Sequence, residues 1–259
     1  MDRADGSLIK VAPCRYGRML YLTNDSFIGH ALGKYGEYSE SEVALWRQFI
    51  KPDWIVADCG ANIGAHTVAL AQMAQAVVAF EPLPYLYFLL CGNLALNGIT
   101  NVSPHPWAVG ADRGTLPVPY IDYTQPGAYG GWNPNTLPAV TRTVPVVALD
   151  DCLPHVDFVK LDVEGMELDA LFGMERLLTD ARPVVYVEAQ QHAEQIIAEL
   201  QSHDYDCWWD HAPHFNPQNV NGVTADDLPT TPAPALLGIP AEQEATVGRQ
   251  KVEVPCTSA

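Results

Sequence analysis

Short apolar runs alternate with segments whose apolar residues recur at helical spacing, from residue 54 to residue 210 of the chain. Short runs bounded by turn residues predict strands, and a helical spacing predicts amphipathic helices. This pattern predicts strands at 54–58, 77–80, 102–109, 156–161, 183–187, 205–209 and 235–239, and helices at 64–75, 85–97, 166–178 and 193–202. Repeated strand–helix units imply an α/β fold, with a mostly parallel sheet, helices on both faces and right-handed crossovers.

Two segments lie outside this alternation. A further helix is predicted over residues 39–50, where Ser39 and Glu42 stand at the spacing of a capping box. Residues 111–146 are rich in Pro, Gly, Asn and aromatic residues, which indicates an inserted loop or hairpin. The aromatic residues of this insertion form either an acceptor pocket or a small core of their own; they are Tyr120, Tyr123, Tyr129 and Trp132. We expect a single domain over 1–259, with an N-terminal strand and helix extension (1–53), a core (54–240) and a C-terminal tail (241–259).

Composition and charge narrow the function classes. The 259 residues are 48% hydrophobic and 17% charged, which is typical of a folded globular protein. The 14 Lys and Arg residues against 31 Asp and Glu residues give a formal net charge of -17. A field of this sign repels a phosphate backbone, so nucleic acid is not expected as a partner.

The cysteines and the apolar segments bear on the cellular setting. The six cysteines form no C-x-x-C pair, and the first residues lack the apolar core of a signal peptide. We interpret this as a reducing, cytoplasmic setting with free thiols. Gln72 and Gln75 interrupt the most apolar region, so no segment has the roughly 18 apolar residues that cross a bilayer. No membrane span is expected, and the oligomeric state is left open.

The first predicted sheet strand is followed by a glycine-containing turn. Ligands of such sheets bind beyond the carboxyl ends of the strands, so the residues there are the candidates for a site. Asp58, Gly60, Asn62 and Gly64 form the pattern D-x-G-x-N-x-G. The leading acid opposes the pyrophosphate that a G-x-G-x-x-G turn binds, and it suits a cationic group such as that of S-adenosylmethionine. The structural alternative is a turn that merely needs glycine.

Further carboxylates follow the later strands. Glu81 ends the second sheet strand, about 20 residues beyond the turn, where an acid accepts both hydroxyl hydrogen bonds of a ribose. Asp162 and Glu164 follow the fourth strand, and Glu188 and His192 follow the fifth. Their convergence at one edge of the sheet would suit a general base or the binding of substrate hydroxyls.

Some candidates have plainer interpretations. Glu164 is placed to cap the helix that begins near Met166, and Lys160 to serve as a structural ion-pair partner. His66 lies one turn inside the first sheet helix and faces either the ligand or solvent. No metal site is predicted in the group Cys207, Asp210, His211 and His214, because its spacing matches no zinc-ligand pattern.

Taken in order, these motifs resemble the FkbM-type methyltransferases. The resemblance rests on the 58–64 turn, Glu81-Pro82, Trp107-Ala108-Val109-Gly110, Lys160-Leu161-Asp162-Val163-Glu164-Gly165-Met166-Glu167 and Pro183-Val184-Val185-Tyr186-Val187-Glu188. It includes the upstream segment 35–39, and it extends over about residues 20–240. Each motif alone is weak, and the ordered series is specific.

The resemblance implies a class I S-adenosylmethionine-dependent methyltransferase, whose sheet has a seventh strand antiparallel to the rest. It implies that the 58–64 turn holds the methionine portion of the cofactor, and that Ala108 lies near the adenine. Family members methylate hydroxyl groups on sugars, glycolipids, polyketides and related small molecules, and the acceptor differs from one member to another. The remaining implied cofactor-binding residues are Glu81 and Pro82 at the ribose, Asp162 and Glu164 near the reacting methyl group, and Tyr35 and Glu37 upstream.

Methyl transfer to a hydroxyl calls for a base, and the sequence offers Asp162, Glu188 and His192 with no order among them. After Glu188 the chain has Ala189-Gln190-Gln191-His192, where similar sequences often carry another polar or acidic residue. A divalent metal that bridges the carboxylates is an open variant that we do not predict. Two other function classes stay open: a nicotinamide-dependent oxidoreductase on the same kind of sheet, and a noncatalytic module that keeps the cofactor pocket.

Overall fold

The computed structural model describes residues 7–131, 141–225, 227–228 and 233–252. Its helices are α1 (Ile28–Tyr35), α2 (Glu40–Trp46), α3 (Ala65–Ala71), α4 (Pro84–Leu96), α5 (Leu149–Cys152), α6 (Glu167–Phe172) and α7 (Ala193–Ser202), with a π-helical turn at Leu177–Ala181. Its strands are β1 (Ile9–Cys14), β2 (Gly17–Leu22), β3 (Ile55–Cys59), β4 (Ala76–Phe80), β5 (Val102–His105), β6 (Ala108–Val109), β7 (Gly114–Pro119), β8 (Thr141–Val147), β9 (Phe158–Leu161), β10 (Val184–Glu188), β11 (Tyr205–Asp210), β12 (Ala235–Pro240) and β13 (Gln250–Lys251).

The main sheet has the order β13-β11-β12-β10-β9-β3-β4-β5. The strands from β10 to β5 run parallel to one another, and β12 is antiparallel to both of its neighbours, β10 and β11. The class I methyltransferase sheet that was expected from the sequence is therefore confirmed, including its one reversed strand. The difference is an eighth strand, the two-residue β13, which pairs with the outer edge of β11.

The connectivity of this sheet creates a crevice. From β3 the chain builds outward through β4 and β5, and it then returns to lay β9 and β10 on the other side of β3. The connections that leave β3 and β9 therefore diverge, and a gap opens beyond their carboxyl ends. In open α/β sheets ligands bind at such a switch point.

The central strands are covered on both faces. Val56, Ala57, Phe158, Val159 and Leu161 have no exposed surface, which is why β3 and β9 have near-continuous apolar sequences rather than alternating ones. Strands β3, β4, β10, β11 and β12 lie within one residue of the predicted bounds, and α7 matches its predicted bounds. The buried apolar runs were the strongest signal in the sequence, and burial explains why they were reliable.

The described helices are short. The longest is α4, with 13 residues, and no helix in the described ranges is long and apolar enough to cross a membrane. The cysteines in those ranges are free thiols; they are Cys14, Cys59, Cys91, Cys152 and Cys207.

The strand predicted over 102–109 is wrong as a single element. Val102–His105 pairs with β4 in the main sheet, whereas Ala108–Val109 pairs with β8 in a separate three-stranded sheet of order β6-β8-β7. The chain leaves the first sheet at Pro106, which has no N–H to donate to a ladder. The hairpin expected within 111–146 is present as β7 and β8, and residues 132–140, with Trp132, lie outside the described residues.

The helix predicted over 166–178 is also interrupted. Helix α6 ends at Phe172, and a Cβ on Gly173 would lie 2.1 Å from the carbonyl oxygen of Gly110. A new turn starts where the Asp150 carboxylate accepts hydrogen bonds from the N–H groups of Arg176 (2.7 Å) and Leu177 (3.0 Å). A distant capping residue thus divides what local periodicity predicts as one helix.

The capping box predicted ahead of α2 does not form. Ser39 occupies the N-cap position in a left-handed conformation, and its side chain makes no cap hydrogen bond. Its hydroxyl instead lies 3.0 Å from Nδ1 of His214, which comes from the loop after β11. Helix α2 ends at Trp46, short of the predicted residue 50.

The N-terminal hairpin of β1 and β2 is attached to the core by two asparagines of α4. Asn93 accepts a hydrogen bond from the Leu20 N–H (2.6 Å) and donates to the carbonyl oxygens of Leu20 (3.1 Å) and Ile63 (2.7 Å). Asn97, one turn later, accepts from the N–H of Arg18 (2.8 Å) and donates to its carbonyl oxygen (2.7 Å). Asn93 is fully buried and Asn97 is partly exposed, so water can replace only the outer set of bonds.

We expect Asn93→Ala to lower the free energy of unfolding by about 2–3 kcal/mol, because buried backbone groups lose their partners. The matched variant Asn97→Ala should cost less than about 1 kcal/mol, since water reaches the groups that it frees. Urea unfolding followed by circular dichroism measures both values. Equal losses for the two variants would contradict this account of the hairpin attachment.

Candidate active site

A cavity of about 700 Å³ lies beyond the carboxyl ends of β3, β4, β9 and β10, at the switch point of the sheet. Its polar wall comes from residues that follow these strands and from the segment before α3. Its apolar wall includes Phe80, Leu83, Leu86, Trp107, Val109 and Leu116. The volume falls within the range of small-molecule and cofactor sites, roughly 300–1,000 Å³.

The turn after β3 forms the floor of the cavity. Gly60 has a φ of 81°, and a Cβ there would lie 1.8 Å from the carbonyl oxygen of Asp162. Glycine is therefore required for two reasons: the backbone conformation, and the close approach of this turn to the chain leaving β9. Gly60 and Asn62 line the cavity, whereas Asp58 and Gly64 do not.

Asp58 stabilises this turn from outside the cavity. It is fully buried, and its Oδ2 accepts a 2.7 Å hydrogen bond from the Thr67 hydroxyl of α3. Its Oδ1 lies 3.3 Å from Nζ of Lys160, which in turn lies 3.3 Å from Oδ2 of Asp162. Burial by itself would lower the pKa of Lys160, but the carboxylates of Asp162 and Asp58 outweigh it and raise the pKa. The lysine is thus held charged between β3 and the end of β9, and the structural ion-pair interpretation of Lys160 agrees with this geometry.

Glu81 lies at the end of β4 inside the cavity. Its Oε2 accepts from the Asn62 N–H and its Oε1 from the Leu83 N–H, both at 2.8 Å. Burial raises the pKa of this carboxyl to about 7, against the opposing effect of the two backbone hydrogen bonds. Each oxygen keeps a further lone pair, so the fixed carboxylate can accept two hydroxyl groups of one ligand.

The chain after β9 contributes two acids to the cavity. Asp162 and Glu164 line it, and Glu164 has a left-handed backbone with a φ of 57°. Helix α6 begins without a side-chain cap hydrogen bond, so the capping role considered for Glu164 is not found. The carboxylate of Glu167 instead accepts hydrogen bonds from the N–H groups of Val163 (2.9 Å) and Gly165 (3.0 Å), which lie ahead of the helix. Burial and the neighbouring Asp162 raise the pKa of Glu164 to about 8.

Glu188 adds a further acid at the end of β10. It lines the cavity and accepts a 3.2 Å hydrogen bond from the Gln190 side chain. Burial, followed by repulsion from Asp162 and Glu164, raises its pKa to about 9. At neutral pH the folded apoprotein therefore holds a proton on this carboxyl.

Another part of the cavity wall is built by residues of which sequence analysis considered only His66 as one that could face the ligand. Tyr38 stacks on His214 at a centroid distance of 5.6 Å and lies 5.2 Å from His66, measured in the same way. Glu42 projects between them from α2, with its Oε2 3.5 Å from Nε2 of His66. All four residues line the cavity. The spacing of Ser39 and Glu42 suggested a capping box, so sequence analysis did not consider Glu42 as a site residue. No local pattern in the sequence links α2 to the loop after β11.

The sequence profile of the Methyltransferase FkbM domain matches residues 58–207, which is more than half of the 259-residue chain. The chain belongs to the FkbM methyltransferase family. The matched segment runs from the acid at the end of β3 to the middle of β11, so it contains Glu81, Asp162 and Glu188 and excludes α2.

Two curated relatives have methyltransferase names. Methyltransferase 1 of Beauveria bassiana (strain ARSEF 2860) is 26% identical over 149 residues, which is 48% of this chain and 59% of the relative. Methyltransferase sdnD of Sordaria araneosa is 28% identical over 215 residues, which is 66% of this chain and 80% of the relative. The chain thus spans less than two thirds of the first relative's length.

Solved structures share the fold at low sequence identity. The FkbM methyltransferase from Methylobacillus flagellatus KT is 20% identical with a TM-score of 0.49, and the match covers 73% of this chain and 44% of that chain. Trm5b from Pyrococcus abyssi is 12% identical with a TM-score of 0.51, over 90% of this chain and 56% of that chain. The second match supports a shared architecture alone.

Most site residues predicted from the sequence lie at the cavity of this FkbM methyltransferase, and some do not. The residues that line it are Gly60, Asn62, Glu81, Pro82, Ala108, Asp162, Glu164 and Glu188. His192 is exposed at the N-cap of α7 and is not among the lining residues. Tyr35 and Glu37 also lie outside the cavity wall.

Glu37 instead ties the upstream segment to the loop after β11. Its carboxylate is 2.7 Å from Arg15 and accepts hydrogen bonds from the Asn216 side chain (2.8 Å) and the Val220 N–H (3.1 Å). Tyr35 donates a hydrogen bond to Asp227 from the same loop region. These contacts position the loop that carries His214, so Tyr35 and Glu37 support the cavity wall without lining it.

Of the insertion aromatics, Tyr123 and Tyr129 pack into a core and do not line the cavity. Tyr123 packs against Tyr85 at a centroid distance of 4.7 Å and against Tyr129 at 4.8 Å. Tyr120 is exposed, with the Arg142 guanidinium 4.2 Å from its ring. The insertion reaches the cavity through Leu116 and through the small residues Ala128, Gly130 and Gly131.

Within the described ranges, no group of three or more His, Cys, Asp or Glu residues has an arrangement that would hold a metal ion. The four residues considered from the sequence are separated. Cys207 and Asp210 are buried in β11, His211 stacks on Trp209, and His214 lines the cavity.

We expect the free energy of unfolding of the apoprotein to fall as the pH rises from about 5 to about 9. The pKa values of Glu42 and Glu81 are raised to about 7, that of Glu164 to about 8 and that of Glu188 to about 9. Between the ordinary and the raised pKa, the folded state keeps protons that the unfolded chain has released, so alkali favours unfolding. Urea titrations over this pH range measure the slope, and a rising stability would contradict it.

The variant Glu188→Gln tests the contribution of one of these carboxyls to the pH dependence of stability. It should match the parent protein near pH 5 and exceed its stability by about 1–3 kcal/mol at pH 9, because the amide has no charge to bury. The control Glu199→Gln changes an acid of α7 that pairs with His203 outside the cavity wall, and it should give no alkaline gain.

Proposed function

We propose that this protein transfers the methyl group of S-adenosylmethionine to a hydroxyl group of a small molecule. The observation that carries the proposal is the placement of Glu81. It is a carboxylate fixed by two backbone N–H groups, at the end of β4, inside a cavity at the switch point of a class I methyltransferase sheet. A carboxylate in this position suits the two hydroxyls of a ribose.

The charge of the cavity supports a cationic cofactor. The acids that line it are Asp25, Glu42, Glu81, Asp162, Glu164 and Glu188, and of the lining residues that the structure describes Lys160 alone is a lysine or arginine. A pyrophosphate would meet repulsion here, whereas a sulfonium and an ammonium would be attracted. The donor set therefore fits S-adenosylmethionine better than a nicotinamide dinucleotide, which disfavours the oxidoreductase alternative.

The apolar wall offers a place for an adenine ring. Trp107, Ala108 and Val109 follow β5 on the side of Glu81, and Trp107 is held by stacking on His105 at a centroid distance of 4.4 Å. Glu81 would hold the ribose, and Gly60 and Asn62 would lie along the rest of the cofactor. Asp162 and Glu164 would face the sulfonium end, as the resemblance to the family implies.

When bound, the cofactor supplies an electrophilic methyl group on a positively charged sulfur. The chain's own residues then have three tasks: to align the acceptor hydroxyl with that methyl group, to exclude water and to remove the hydroxyl proton. The aromatic wall of Tyr38 and His214 limits water, and the acids at that end of the cavity are available to bind hydroxyl groups. A neutral or cationic, hydroxylated acceptor such as a sugar or polyketide fits these walls better than an anion does.

Glu81→Gln is expected to weaken binding of S-adenosylhomocysteine by about 10- to 100-fold, because a hydrogen bond to a charged group is worth about 1.5–3 kcal/mol. Isothermal titration calorimetry gives the dissociation constants, and Glu199→Gln serves as the control with an expected change below twofold. NADH binding without any response to S-adenosylmethionine would overturn the cofactor assignment.

Transfer itself can be tested with S-adenosylmethionine that carries a tritiated methyl group. We expect label to enter a small-molecule fraction of a metabolite extract and to be absent from added RNA, since the chain carries a net charge of -17. Label in RNA alone would contradict the proposed acceptor class. No transfer to any fraction, with the cofactor bound, would favour a noncatalytic module.

A further inference from the structure

Glu42 is a cavity acid that the match to the family domain does not include. It lies on α2, ahead of the matched segment 58–207, and its side chain is 15% exposed. Its Oε1 accepts a 3.1 Å hydrogen bond from the Tyr186 hydroxyl, and its Oε2 faces Nε2 of His66 at 3.5 Å. That imidazole nitrogen is buried and makes no hydrogen bond with the described residues.

A second carboxylate lies behind Tyr186. The same hydroxyl is 3.0 Å from Oδ2 of Asp210, which is buried in β11, and Oδ1 of Asp210 accepts a 2.6 Å hydrogen bond from Nε of Arg249. Tyr186 thus has one proton and two carboxylates within reach. Burial raises the pKa of Tyr186 well above its ordinary value, so the phenol keeps that proton.

Four of the other cavity acids are less suited to receive a proton. Asp162 is paired with the buried Lys160 at 3.3 Å. Glu81, whose pKa is also raised to about 7, is fixed by two backbone N–H groups at the proposed ribose site. In the absence of cofactor, the pKa values of Glu188 (about 9) and Glu164 (about 8) both lie above that of Glu42. Burial and the nearby Asp162 raise the pKa of Glu42 to about 7, which is the range in which a general base works best.

We propose that Glu42 is the general base of the methyl transfer and that Tyr186 positions it. This inference rests on the proposed function. The acceptor O–H bond breaks and its proton forms an O–H bond to the Glu42 carboxylate. The acceptor oxygen forms a bond to the methyl carbon, and the electron pair of the breaking carbon–sulfur bond stays on the sulfur, which becomes a neutral thioether. Glu42 returns the proton to solvent when the product leaves.

The hydroxyl of Tyr186 follows the charge of Glu42. While Glu42 is a carboxylate, the hydroxyl donates to it and stabilises its charge. Once Glu42 has taken the proton, its own O–H can donate to the phenol oxygen, and the Tyr186 hydroxyl turns to Asp210. Arg249 keeps Asp210 in place as the alternative acceptor. No proton has to leave Tyr186 at any point.

Several groups besides Tyr186 face Glu42 and shape its titration. Asp162 from the end of β9 opposes ionisation, and Lys160 from β9 favours it. Ser39, immediately before α2, donates a hydrogen bond that lowers the pKa of Glu42. His66 of α3 contributes no positive charge, because burial lowers its pKa well below the ordinary value. Removal of the Tyr186 hydroxyl affects Glu42 and leaves the ion pairs of Lys160 intact.

The first test compares Glu42→Gln with Glu40→Gln. Glu40 is on the same helix, where it accepts a hydrogen bond from Tyr16 outside the cavity. The probe is tritium transfer from methyl-labelled S-adenosylmethionine to the metabolite extract. We expect Glu42→Gln to reduce transfer by about 100-fold or more, with the affinity for S-adenosylhomocysteine within about twofold of the parent, and Glu40→Gln to retain the parent rate. A parent-like rate in Glu42→Gln would overturn the assignment.

The second test separates positioning from folding. In Tyr186→Phe the carboxylate loses its donor, so the acid limb of the pH–rate profile should move to higher pH and the rate at pH 6 should fall more than the rate at pH 9. The matched control Tyr16→Phe removes the hydroxyl that serves Glu40. Carbon-13 NMR of glutamate-labelled protein, with Glu42→Gln to assign the signal, should show the same upward shift for Glu42 without any acceptor present. An unchanged titration of Glu42 in Tyr186→Phe would contradict the positioning role.

Failure of this inference can be told apart from failure of the proposed function. If the parent protein does not bind S-adenosylmethionine, or transfers no label to any small molecule, the proposed function fails and the base assignment falls with it. If the parent protein is active and Glu42→Gln is equally active, only the assignment of the base fails.

Discussion

The ion pairs of the buried Lys160 with the buried Asp58 and the partly exposed Asp162 hold the centre of the fold and the floor of its cavity together. Asp58 belongs to β3 and Lys160 to the adjacent β9, so their salt bridge joins the two strands at the switch point of the sheet, and Asp162 pairs with Lys160 from directly after β9. Burial makes these charges costly unless they are paired, and removal of one partner from such a pair typically costs about 3–5 kcal/mol. The turn at Gly60, which closely approaches the carbonyl oxygen of Asp162, and these ion pairs together fix the placement of Asp162.

The same lysine sets the electrostatics of the site. Burial, followed by repulsion among the six acids that line the cavity, raises the pKa of most of these carboxyls in the apoprotein, and Lys160 opposes the shift. A cationic cofactor would lower these pKa values and stabilise the ionised forms, because an opposite charge nearby favours the charged state. Cofactor binding is in this way linked to the protonation of the cavity acids. Repulsion between these acids destabilises the apoprotein, and a cationic cofactor would relieve it and gain binding free energy from the relief.

The acceptor end depends on parts of the chain that are far apart in sequence. Helix α2 supplies Glu42, the loop after β11 supplies His214, and Glu37 joins the two through Arg15 and Asn216. The insertion closes another side with the small residues Gly130 and Gly131. The proposed cofactor end lies within the segment matched to the family domain, whereas much of the proposed acceptor end does not. This division gives a physical reason why family membership predicts the reaction better than the acceptor.

The sequence by itself determined the sheet and much of the cofactor end. Buried strands are continuous apolar runs, and the residues that follow them must meet at one edge, so Glu81, Asp162 and Glu188 could be predicted to converge. The strand predicted over 102–109 fails for a local reason, because Pro106 sends the chain into a second sheet. Elsewhere, local pattern failed where a distant group decides the outcome: Asp150 divides the helix predicted over 166–178. It failed for the same reason at Ser39 and Glu42, since the hydroxyl and carboxylate that fit a capping box bond instead to His214 and Tyr186. Periodicity encodes which faces are buried, but only the tertiary structure decides which polar side chains share a cavity, because their partners come from elements with no fixed spacing in the sequence.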